Sequence, residues 1–322
     1  MRVLITGGMG FIGSHLADEL LKKGHAVSLV DNLSTGNIDN IKNIKDHKNL
    51  SFKIESIMNE KAMRTFIKKC DMVYHLAAAV GVKYIIDNPL ESIQVNVKGT
   101  EIVLELANEY GKKKVIIAST SEVYGKNVDG VRAFKENDDR VLGSTTISRW
   151  SYASTKSLDE FLALAYYREK KLPVVIVRLF NTVGPRQTGH YGMVVPRFIK
   201  QALMNHPLTV YGDGKQTRSF TYVSDVVKAI IALAESRKAE GEIFNIGNPK
   251  GITIEELAKK IKKMTNSQSE IAYIPYEKAY EKGFEDMRHR MPNIDKLKHF
   301  IGFSPETDID DILTKTIDYF EK

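Results

Sequence analysis

The sequence predicts an α/β fold in which a doubly wound parallel sheet is joined to a smaller C-terminal domain. The first observation behind this prediction is that apolar strand segments alternate with helical segments through the first half of the 322 residues. The second is a glycine-rich turn between the first strand and the first helix. The third is a looser pattern after residue 180, where Gly and Pro recur. We therefore expect domains at 1–180 and 181–322, with some elements of the second returning to the first.

Each element is predicted from its hydrophobic periodicity. The expected strands of the first half are 3–5, 27–30, 51–54, 72–75, 115–118 and 174–178, and its helices are about 12–23, 60–69, 91–110 and 152–170. Helices are also expected near 194–204, 224–235, 253–264 and 306–320. A strand near 243–245 is expected to return to the main sheet.

Composition excludes several classes of protein. The net charge is +7, but the basic clusters are short and scattered, so we do not expect a nucleic-acid partner. Cys70 is the only cysteine, which excludes an internal disulfide and suits a reducing compartment. No apolar stretch has the length of a membrane span, and no signal-peptide pattern is present, so we expect a cytoplasmic protein with no membrane partner.

The glycine-rich turn predicts a dinucleotide site. The segment from Thr6 to Gly13 follows the first strand and opens the first helix. Its glycines let backbone N–H groups approach a pyrophosphate at the positive end of the helix dipole. Asp31 ends the second strand, about 20 residues further on, where a carboxylate can accept hydrogen bonds from a ribose. The fold is therefore predicted to be of the Rossmann type, and the carboxylate favours NAD over NADP because it would repel a ribose phosphate.

A second pattern predicts proton transfer. Tyr152 and Lys156 lie four residues apart, on one face of a predicted helix. We expect the ammonium of Lys156 to lower the pKa of the phenol, so that Tyr152 can take or give a proton at a hydroxyl near neutral pH. The helix comes after strand 115–118, which runs into the hydroxyl-rich segment Ser119 to Ser121.

These motifs make the chain resemble the extended short-chain dehydrogenase/reductases, specifically the NAD-dependent nucleotide-sugar epimerase/dehydratase family. The resemblance covers essentially the whole chain. Besides the segments already named, it rests on Asp31 to Gly36, His75 to Ala78, Asn96 to Thr100, Ser119 to Gly125, Arg178 to Asn181, Gly184 to Arg186, Arg218 to Phe220 and Asn245 to Gly247. The resemblance implies that the smaller domain binds a nucleotide sugar.

The resemblance also implies a set of residues that bind NAD. They are Gly7, Gly10, Phe11, Ile12, Gly13, Asp31, Asn32, Ser34, Thr35, Gly36, Ser56, Ile57, Leu76, Ala77, Ala78, Asn96, Tyr152 and Lys156. One position departs from the family pattern. The family usually has an acid followed by an apolar residue after the third strand, and here Ser56 and Ile57 stand in that place, preceded by Glu55. A serine hydroxyl could still hydrogen-bond the adenine amine.

The catalytic residues implied by the resemblance are Thr120, Tyr152, Lys156 and Glu122. Together they would remove the proton of a sugar C4 hydroxyl while hydride leaves C4, which gives a bound 4-keto sugar. The residues implied for the nucleotide sugar, which is expected to be UDP-linked, are Ser121, Glu122, Arg149, Asn181, Val195, Thr209, Tyr211, Arg218 and Arg290. Arg288 competes with Arg290 for its role.

Four functions remain open, and a UDP-hexose 4-epimerase is preferred because 79–83 is more similar to epimerases. The alternative is an enzyme of the UDP-glucuronate decarboxylase type, which Glu122, Arg149 and Arg290 favour. A 4,6-dehydratase is third, because Ser121 replaces the aspartate of an Asp-Glu pair in dTDP-glucose dehydratases. The non-enzyme alternative is a dinucleotide-binding redox sensor, which has no use for an intact proton relay.

Assembly and metal content can also be anticipated. The helices at 91–110 and 152–170 carry more apolar residues than one face holds, and the resemblance implies a homodimer that pairs them in a four-helix bundle. No metal is expected, since the chemistry needs none. The histidines away from the motifs show no metal-ligand spacing; they include His15, His25, His47, His190 and His206.

Overall fold

The structure, a computed structural model, describes residues 1–127, 133–189, 193–279 and 287–321. His190 lies outside these ranges. The strands are β1 Arg2–Thr6, β2 Ala26–Asp31, β3 Leu50–Ile54, β4 Met72–His75, β5 Lys114–Thr120, β6 Val174–Leu179, β7 Thr182–Val183, β8 Leu208–Tyr211, β9 Thr217–Ser219, β10 Thr221–Tyr222, β11 Glu242–Ile246, β12 Gly251–Thr253, β13 Ile271–Ile274 and β14 His289–Arg290. The helices are α1 Phe11–Lys22, α2 Glu60–Lys69, α3 Val82–Asp87, α4 Pro89–Glu109, α5 Arg149–Ala165, α6 Val194–Leu203, α7 Val223–Glu235, α8 Ile254–Met264, α9 Tyr276–Ala279, α10 Asp295–Ile301 and α11 Ile309–Phe320.

The main sheet has seven strands in the order β11-β6-β5-β4-β1-β2-β3, and every pairing in it is parallel. This confirms the predicted parallel sheet. The strand expected near 243–245 does return to it, since β11 pairs with β6 and places Phe244 opposite Val177. The order reverses between β1 and β4, and such a switch point opens a crevice at the carboxyl ends of the strands.

Helices cover both faces of the sheet. On one face, α1 and α7 pack through a core that contains Leu20 and Ile230. On the other face, α2, α4 and α5 pack through a second core that contains Ile67, Val103 and Ala163. Fully burying an aliphatic side chain of this kind contributes about 1.5–3 kcal/mol, so these two layers hold the sheet rigid behind the crevice.

The C-terminal part has a core of its own. Helices α6, α8 and α11 bury Phe198, Ile261 and Leu313 around β8. Three small sheets border this core, formed by β10 with β7, by β12, β9 and β14, and by β13 with β8. These strands have two to four residues each, which is too short for the alternation by which a strand is recognised in sequence.

The start of α5 differs from the prediction. The helix begins at Arg149 rather than at 152, and after Ala165 it changes into a turn of π-helix, Tyr166–Lys170. Arg149, Tyr152, Lys156 and Asp159 therefore follow one another at spacings of three and four along one stripe of the helix. Across the described part of the chain, no helix combines the length and the apolar character that a membrane span requires.

Candidate active site

A cavity of about 480 Å³ lies at the carboxyl ends of the main strands, between the sheet and the C-terminal core. Most of the residues predicted for cofactor or substrate line it. They are Gly7, Gly10, Phe11, Ile12, Gly13, Asp31, Asn32, Ser34, Thr35, Ser56, Ile57, Leu76, Ala77, Ala78, Thr120, Ser121, Glu122, Arg149, Tyr152, Asn181, Val195, Tyr211, Arg218 and Arg290. Residues that are far apart in sequence thus share one cavity.

The glycine loop forms one end of the cavity. Gly7 has φ +68° and donates its N–H to Val30 O at 2.8 Å. A Cβ on Gly13 would lie 2.1 Å from Gly7 O, so a larger residue cannot occupy this turn without moving the backbone. Gly10, the N-cap of α1, has no side chain to cap the helix, which leaves N–H groups of the first turn for a ligand. This cradle fits the pyrophosphate of a dinucleotide.

Asp31 is held by backbone N–H groups beside this loop. Its Oδ2 accepts from Met9 N at 2.9 Å and its Oδ1 accepts from Leu33 N at 2.8 Å. Burial raises the pKa of Asp31, and these backbone donors oppose the rise. The carboxylate is thereby fixed at the end of β2, where it suits ribose hydroxyls. Gly36 packs behind it, since a Cβ there would lie 2.8 Å from Asp31 Oδ1.

Four of the predicted residues do not line the cavity, namely Gly36, Asn96, Thr209 and Lys156. Asn96 lies behind the wall, where its Oδ1 accepts from Ala79 N at 2.8 Å and so supports the loop after β4. The carbonyl oxygen of Thr209 accepts a hydrogen bond from Arg197 Nη2 at 3.0 Å. Each therefore contacts a neighbour that lines the cavity.

Ser56 lines the cavity at the position where the family usually has an acid. Its hydroxyl accepts from Met58 N at 3.1 Å, which fixes the turn after β3. Glu55 also lines the cavity, and its Oε1 accepts from Ser56 N at 3.0 Å. An acid is therefore present at this corner, displaced by one position.

Tyr152 faces the cavity beside the end of β5. A hydrogen bond joins its phenol to the Thr120 hydroxyl. The pKa of Tyr152 is raised, first by burial and then by the negative charges of Glu122 and Asp159, while the Thr120 hydrogen bond and the charge of Arg290 oppose the rise. The predicted pair of Thr120 and Tyr152 is thus assembled, with a phenol that holds its proton.

Lys156 differs from the prediction in its hydrogen-bond partner. Its ammonium was expected to lower the pKa of Tyr152, but in this structure the side chain is buried and donates to Asp159 Oδ2 at 2.8 Å. The charges that act most strongly on the pKa of Tyr152 are those of Glu122, Asp159 and Arg290. Asp159, three residues further along α5, competes for the ammonium, and sequence spacing alone gave no weight to it.

Glu122 and Arg290 face each other across the cavity. Arg290 Nη1 donates to Glu122 Oε1 at 3.0 Å, and its Nη2 donates to Asn181 Oδ1 at 2.5 Å. The Asn181 amide in turn donates to Ser219 O at 2.9 Å. Three predicted residues from three separate segments therefore form one hydrogen-bonded group, close enough to Tyr152 to affect its pKa.

Arg290 and Arg288, the two arginines that compete for one predicted role, lie in different surroundings. Arg290 lies opposite Arg218 in the pairing of β14 with β9, and both line the cavity. Arg288 is exposed and forms an ion pair with Asp213 at 2.9 Å. Two guanidinium groups in adjacent strands suit the two phosphates of a nucleotide diphosphate.

Arg149 lines the cavity from the first turn of α5, on the same stripe as Tyr152. It is buried, and its guanidinium carbon lies 5.6 Å from the centre of the Trp150 ring. Trp150 is itself buried and packs over Gly143, where a Cβ would lie 2.1 Å from the indole nitrogen. Trp150 is therefore a packing residue that holds the start of the helix.

Sequence reasoning missed several residues of the wall. Arg197 lies in the first turn of α6 with its guanidinium carbon 4.2 Å from the centre of the Tyr211 ring. A cation at a helix N-terminus opposes the helix dipole, and this was an available signal. Gln187 and Gln216 also line the cavity, and their carboxamide oxygens are buried with no hydrogen-bond partner among the described residues. A ligand that donates to these oxygens would remove the cost of burying them.

Comparison with known proteins identifies the family. Residues 4–316 match the family model described as GDP-mannose 4,6 dehydratase. The chain belongs to that family. Among its relatives is the UDP-N-acetyl-alpha-D-glucosaminuronate decarboxylase of Bacillus cytotoxicus. The two sequences are 48% identical, and the alignment covers 100% of this chain and 98% of the relative. The UDP-glucuronic acid decarboxylase 1 of Danio rerio is 36% identical over 100% of this chain and 73% of its own.

A solved structure of high similarity is that of the UDP-glucuronic acid 4-epimerase of Bacillus cereus with UDP-glucuronic acid and NAD. Its TM-score is 0.90 at 30% identity, and the alignment covers 100% of this chain and 99% of that one. These similarities confirm both the α/β fold and the resemblance to the extended short-chain dehydrogenase/reductases. This member of the GDP-mannose 4,6-dehydratase family is therefore a nucleotide-sugar-modifying enzyme.

Proposed function

We propose that this enzyme decarboxylates a UDP-linked hexuronic acid, with UDP-N-acetylglucosaminuronate as the first substrate to test. The observation that carries the proposal is the 48% identity to a decarboxylase of that substrate along the whole of both chains. The preference for a 4-epimerase drawn from the sequence is not confirmed. The alternative reading, which Glu122, Arg149 and Arg290 favoured, has the stronger support.

The residues that would hold NAD are the glycine loop for the pyrophosphate and Asp31 for the adenosine ribose. The cradle at Gly7 and Gly13 fits that group, because side chains there would strike backbone atoms. NAD supplies an acceptor for the hydride of C4 and later returns it. The Bacillus cereus structure, which has NAD bound, supports the same cofactor here.

The proposed reaction begins with proton transfer at C4. Tyr152 takes the proton of the C4 hydroxyl, with Thr120 hydrogen-bonded beside it, as C4 loses hydride and becomes a ketone. The carboxyl group on C5 is then β to that ketone. Its C–C bond breaks, carbon dioxide leaves, and the electron pair moves onto the C4 oxygen as an enolate. A proton from water then adds at C5, C4 regains hydride, and Tyr152 returns its proton to the C4 oxygen.

Charged residues of the wall have distinct proposed roles. Arg149 would hold the uronate carboxylate, because a guanidinium can pair with a carboxylate through two parallel hydrogen bonds. Arg218 and Asn181 would hold the pyrophosphate of the nucleotide. Arg290 donates to both Asn181 and Glu122. It would share the pyrophosphate with Arg218 and Asn181 and so help to orient the sugar. Lys156, Asn96 and Thr209 would act from behind the wall.

A product assay tests the proposal. Purified protein with NAD is incubated separately with UDP-N-acetylglucosaminuronate, UDP-glucuronate and UDP-N-acetylglucosamine, and the products are resolved by chromatography with mass detection. We expect a product lighter by carbon dioxide from a uronate, and Tyr152→Phe should form none. A product of unchanged mass would identify a 4-epimerase, the second candidate, which the Bacillus cereus structure favours. No product lighter by carbon dioxide from either uronate would refute the proposed activity.

We also propose the two-domain division at 180 and a homodimer through α4 and α5. The dimer is supported by apolar side chains that remain exposed on these helices: Leu90 is 67% exposed, Ile93 41%, Leu158 49% and Phe161 60%. Phe161→Glu should convert the dimer to a monomer in light scattering. Met204→Glu, at an exposed apolar position away from these helices, should leave the dimer intact.

A further inference from the structure

One turn beyond Tyr152, α5 carries an ion pair that is enclosed by protein. Lys156 Nζ lies 2.8 Å from Asp159 Oδ2, and the two side chains are 2% and 0% exposed. Tyr152, Lys156 and Asp159 lie on one stripe of the helix, because their spacings are four and three residues. The carboxylate is thus placed where it can control the ammonium that the proton relay requires.

This pair is poorly suited to a purely stabilising role. Asp159 Oδ1 is buried without a well-formed hydrogen bond among the described residues, although the Thr100 hydroxyl lies near enough to lower the pKa of the carboxyl group. A buried carboxylate with an incompletely satisfied oxygen costs free energy, and buried ion pairs can often be replaced by apolar residues without loss of stability. Burial accordingly raises the pKa of Asp159, and the ammonium of Lys156 opposes that rise. Stability alone therefore does not explain why a buried lysine and carboxylate are paired here.

The other charged groups near the tyrosine are already balanced. Glu160 accepts from Arg178 at 2.9 and 2.7 Å through both of its oxygens. Glu122 is paired with Arg290 at 3.0 Å. Asp159 is therefore the carboxylate whose partner is the lysine of the relay.

His75 approaches the same region from β4 and brings no charge. Its Nδ1 lies 2.8 Å from the Thr6 hydroxyl and its Nε2 lies 3.1 Å from the Thr100 hydroxyl. Burial and the positive charge of Lys156 lower the pKa of His75 to about 3, so the ring is neutral at physiological pH. The imidazole cannot replace Asp159 as a counter-ion.

We propose that Asp159 is a positioning residue that holds the Lys156 ammonium below Tyr152 and thereby sets the pH at which the phenol exchanges its proton. The inference rests on the proposed role of Tyr152, but not on which sugar reacts. A carboxylate here keeps the phenol from becoming too acidic. This serves a reaction in which Tyr152 must first take the C4 proton and later return it to the same oxygen.

The test is a titration of the phenol in the full-length protein saturated with NAD and without sugar. Near-ultraviolet difference absorbance reports the phenolate, and each variant is compared with the same variant carrying Tyr152→Phe. Asp159→Asn keeps the shape and removes the charge. We expect its midpoint to fall by about one pH unit, because a nearby negative charge disfavours a second one. If Asp159→Asn fails to fold, Asp159→Ser takes its place. Its smaller side chain leaves room for water beside the ammonium, and we expect the same fall in the midpoint.

Glu160→Gln is the matched control. It lies next to Asp159 on α5, is also buried, and also removes one half of a buried ion pair. Its midpoint should stay close to that of the wild-type protein, because Glu160 pairs with Arg178 and not with the lysine of the relay. The pH profile of turnover should show the same contrast, with the rising limb of kcat/KM at lower pH in Asp159→Asn only.

An unchanged midpoint in both Asp159 variants would overturn the inference, and so would an equal shift in Glu160→Gln, which would point to a general loosening of α5. The titration needs no substrate. A protein inactive on every sugar tested would therefore refute the proposed function without changing the outcome of this titration.

Discussion

The two walls of the cavity are built by different means. The wall beside β1 is formed mainly by backbone groups and glycines of one contiguous segment, the glycine loop and the start of α1, with Asp31 at its edge. The opposite wall consists of charged side chains that meet from distant segments: Glu122 and Arg290 are 168 residues apart, and Asn181 and Arg290 are 109 apart. One wall is specified by local conformation, and the other by tertiary pairing.

The difference predicts how each wall tolerates change. A backbone wall fails when atoms are added, because the turn has no room for them. A wall of paired charges fails when atoms or charges are removed, because the partner is left without its hydrogen bond. Tyr152 comes from α5, outside both the glycine loop and the hydrogen-bonded group of Glu122, Arg290 and Asn181, so a change there should affect chemistry more than binding.

The largest effect is expected from Tyr152→Phe. Removing the phenol hydroxyl removes the proposed acid/base, which contributes about 10²- to 10⁴-fold to a rate. Single-turnover formation of the reduced cofactor from a uronate measures the step directly. Affinity for NAD, measured by calorimetry, should stay within about threefold of wild type because the glycine loop is untouched. Substantial residual turnover would show that another group removes the proton.

Gly13→Ala tests the backbone wall and should have the next largest effect. The added Cβ would lie 2.1 Å from Gly7 O and 2.9 Å from Gly8 Cα, so the loop must move. Overpacking of this kind costs about 1–3 kcal/mol, and we expect NAD affinity to fall about tenfold or more. Calorimetry with NAD measures it.

Gly189→Ala serves as the control for this change. Its Cβ would make only ordinary contacts, the nearest being Arg197 N at 3.6 Å. Unaltered NAD affinity in Gly13→Ala would mean that the loop can shift without cost, and the proposed pyrophosphate cradle would be wrong.

The same contrast between the two walls explains which features can be predicted from the sequence. The parallel sheet and the glycine loop are confirmed, because each depends on contiguous residues with a strong period or an obligatory turn. The short strands β9 and β14 were missed, because nothing in two or three residues distinguishes a strand from a loop. Their pairing nevertheless brings Arg218 and Arg290 together.

Residue types in the second wall could be predicted, but their partners could not. Glu122 and Arg290 were each selected separately, and only the fold shows that they form an ion pair. For Lys156 the expected partner was Tyr152, and the structure gives Asp159 instead. Two candidates lay within one turn of the lysine, and helical spacing favours neither.

The smallest effect is expected from the wall of paired charges, and a double-mutant cycle measures it. Glu122→Gln should lower kcat/KM about tenfold, because a hydrogen bond to a charged group contributes about 1.5–3 kcal/mol and Asn181 still holds the guanidinium. Arg290→Gln should lower it by at least as much, because it breaks the contacts with both Glu122 and Asn181.

The double variant decides between pairing and independent roles. If the two residues act as a pair, the double variant should lose less than the sum of the single losses, by about 1 kcal/mol. Strict additivity would mean that each residue contacts the substrate separately. The second wall would then consist of independent contacts, and the contrast with the backbone wall would be one of chemistry alone.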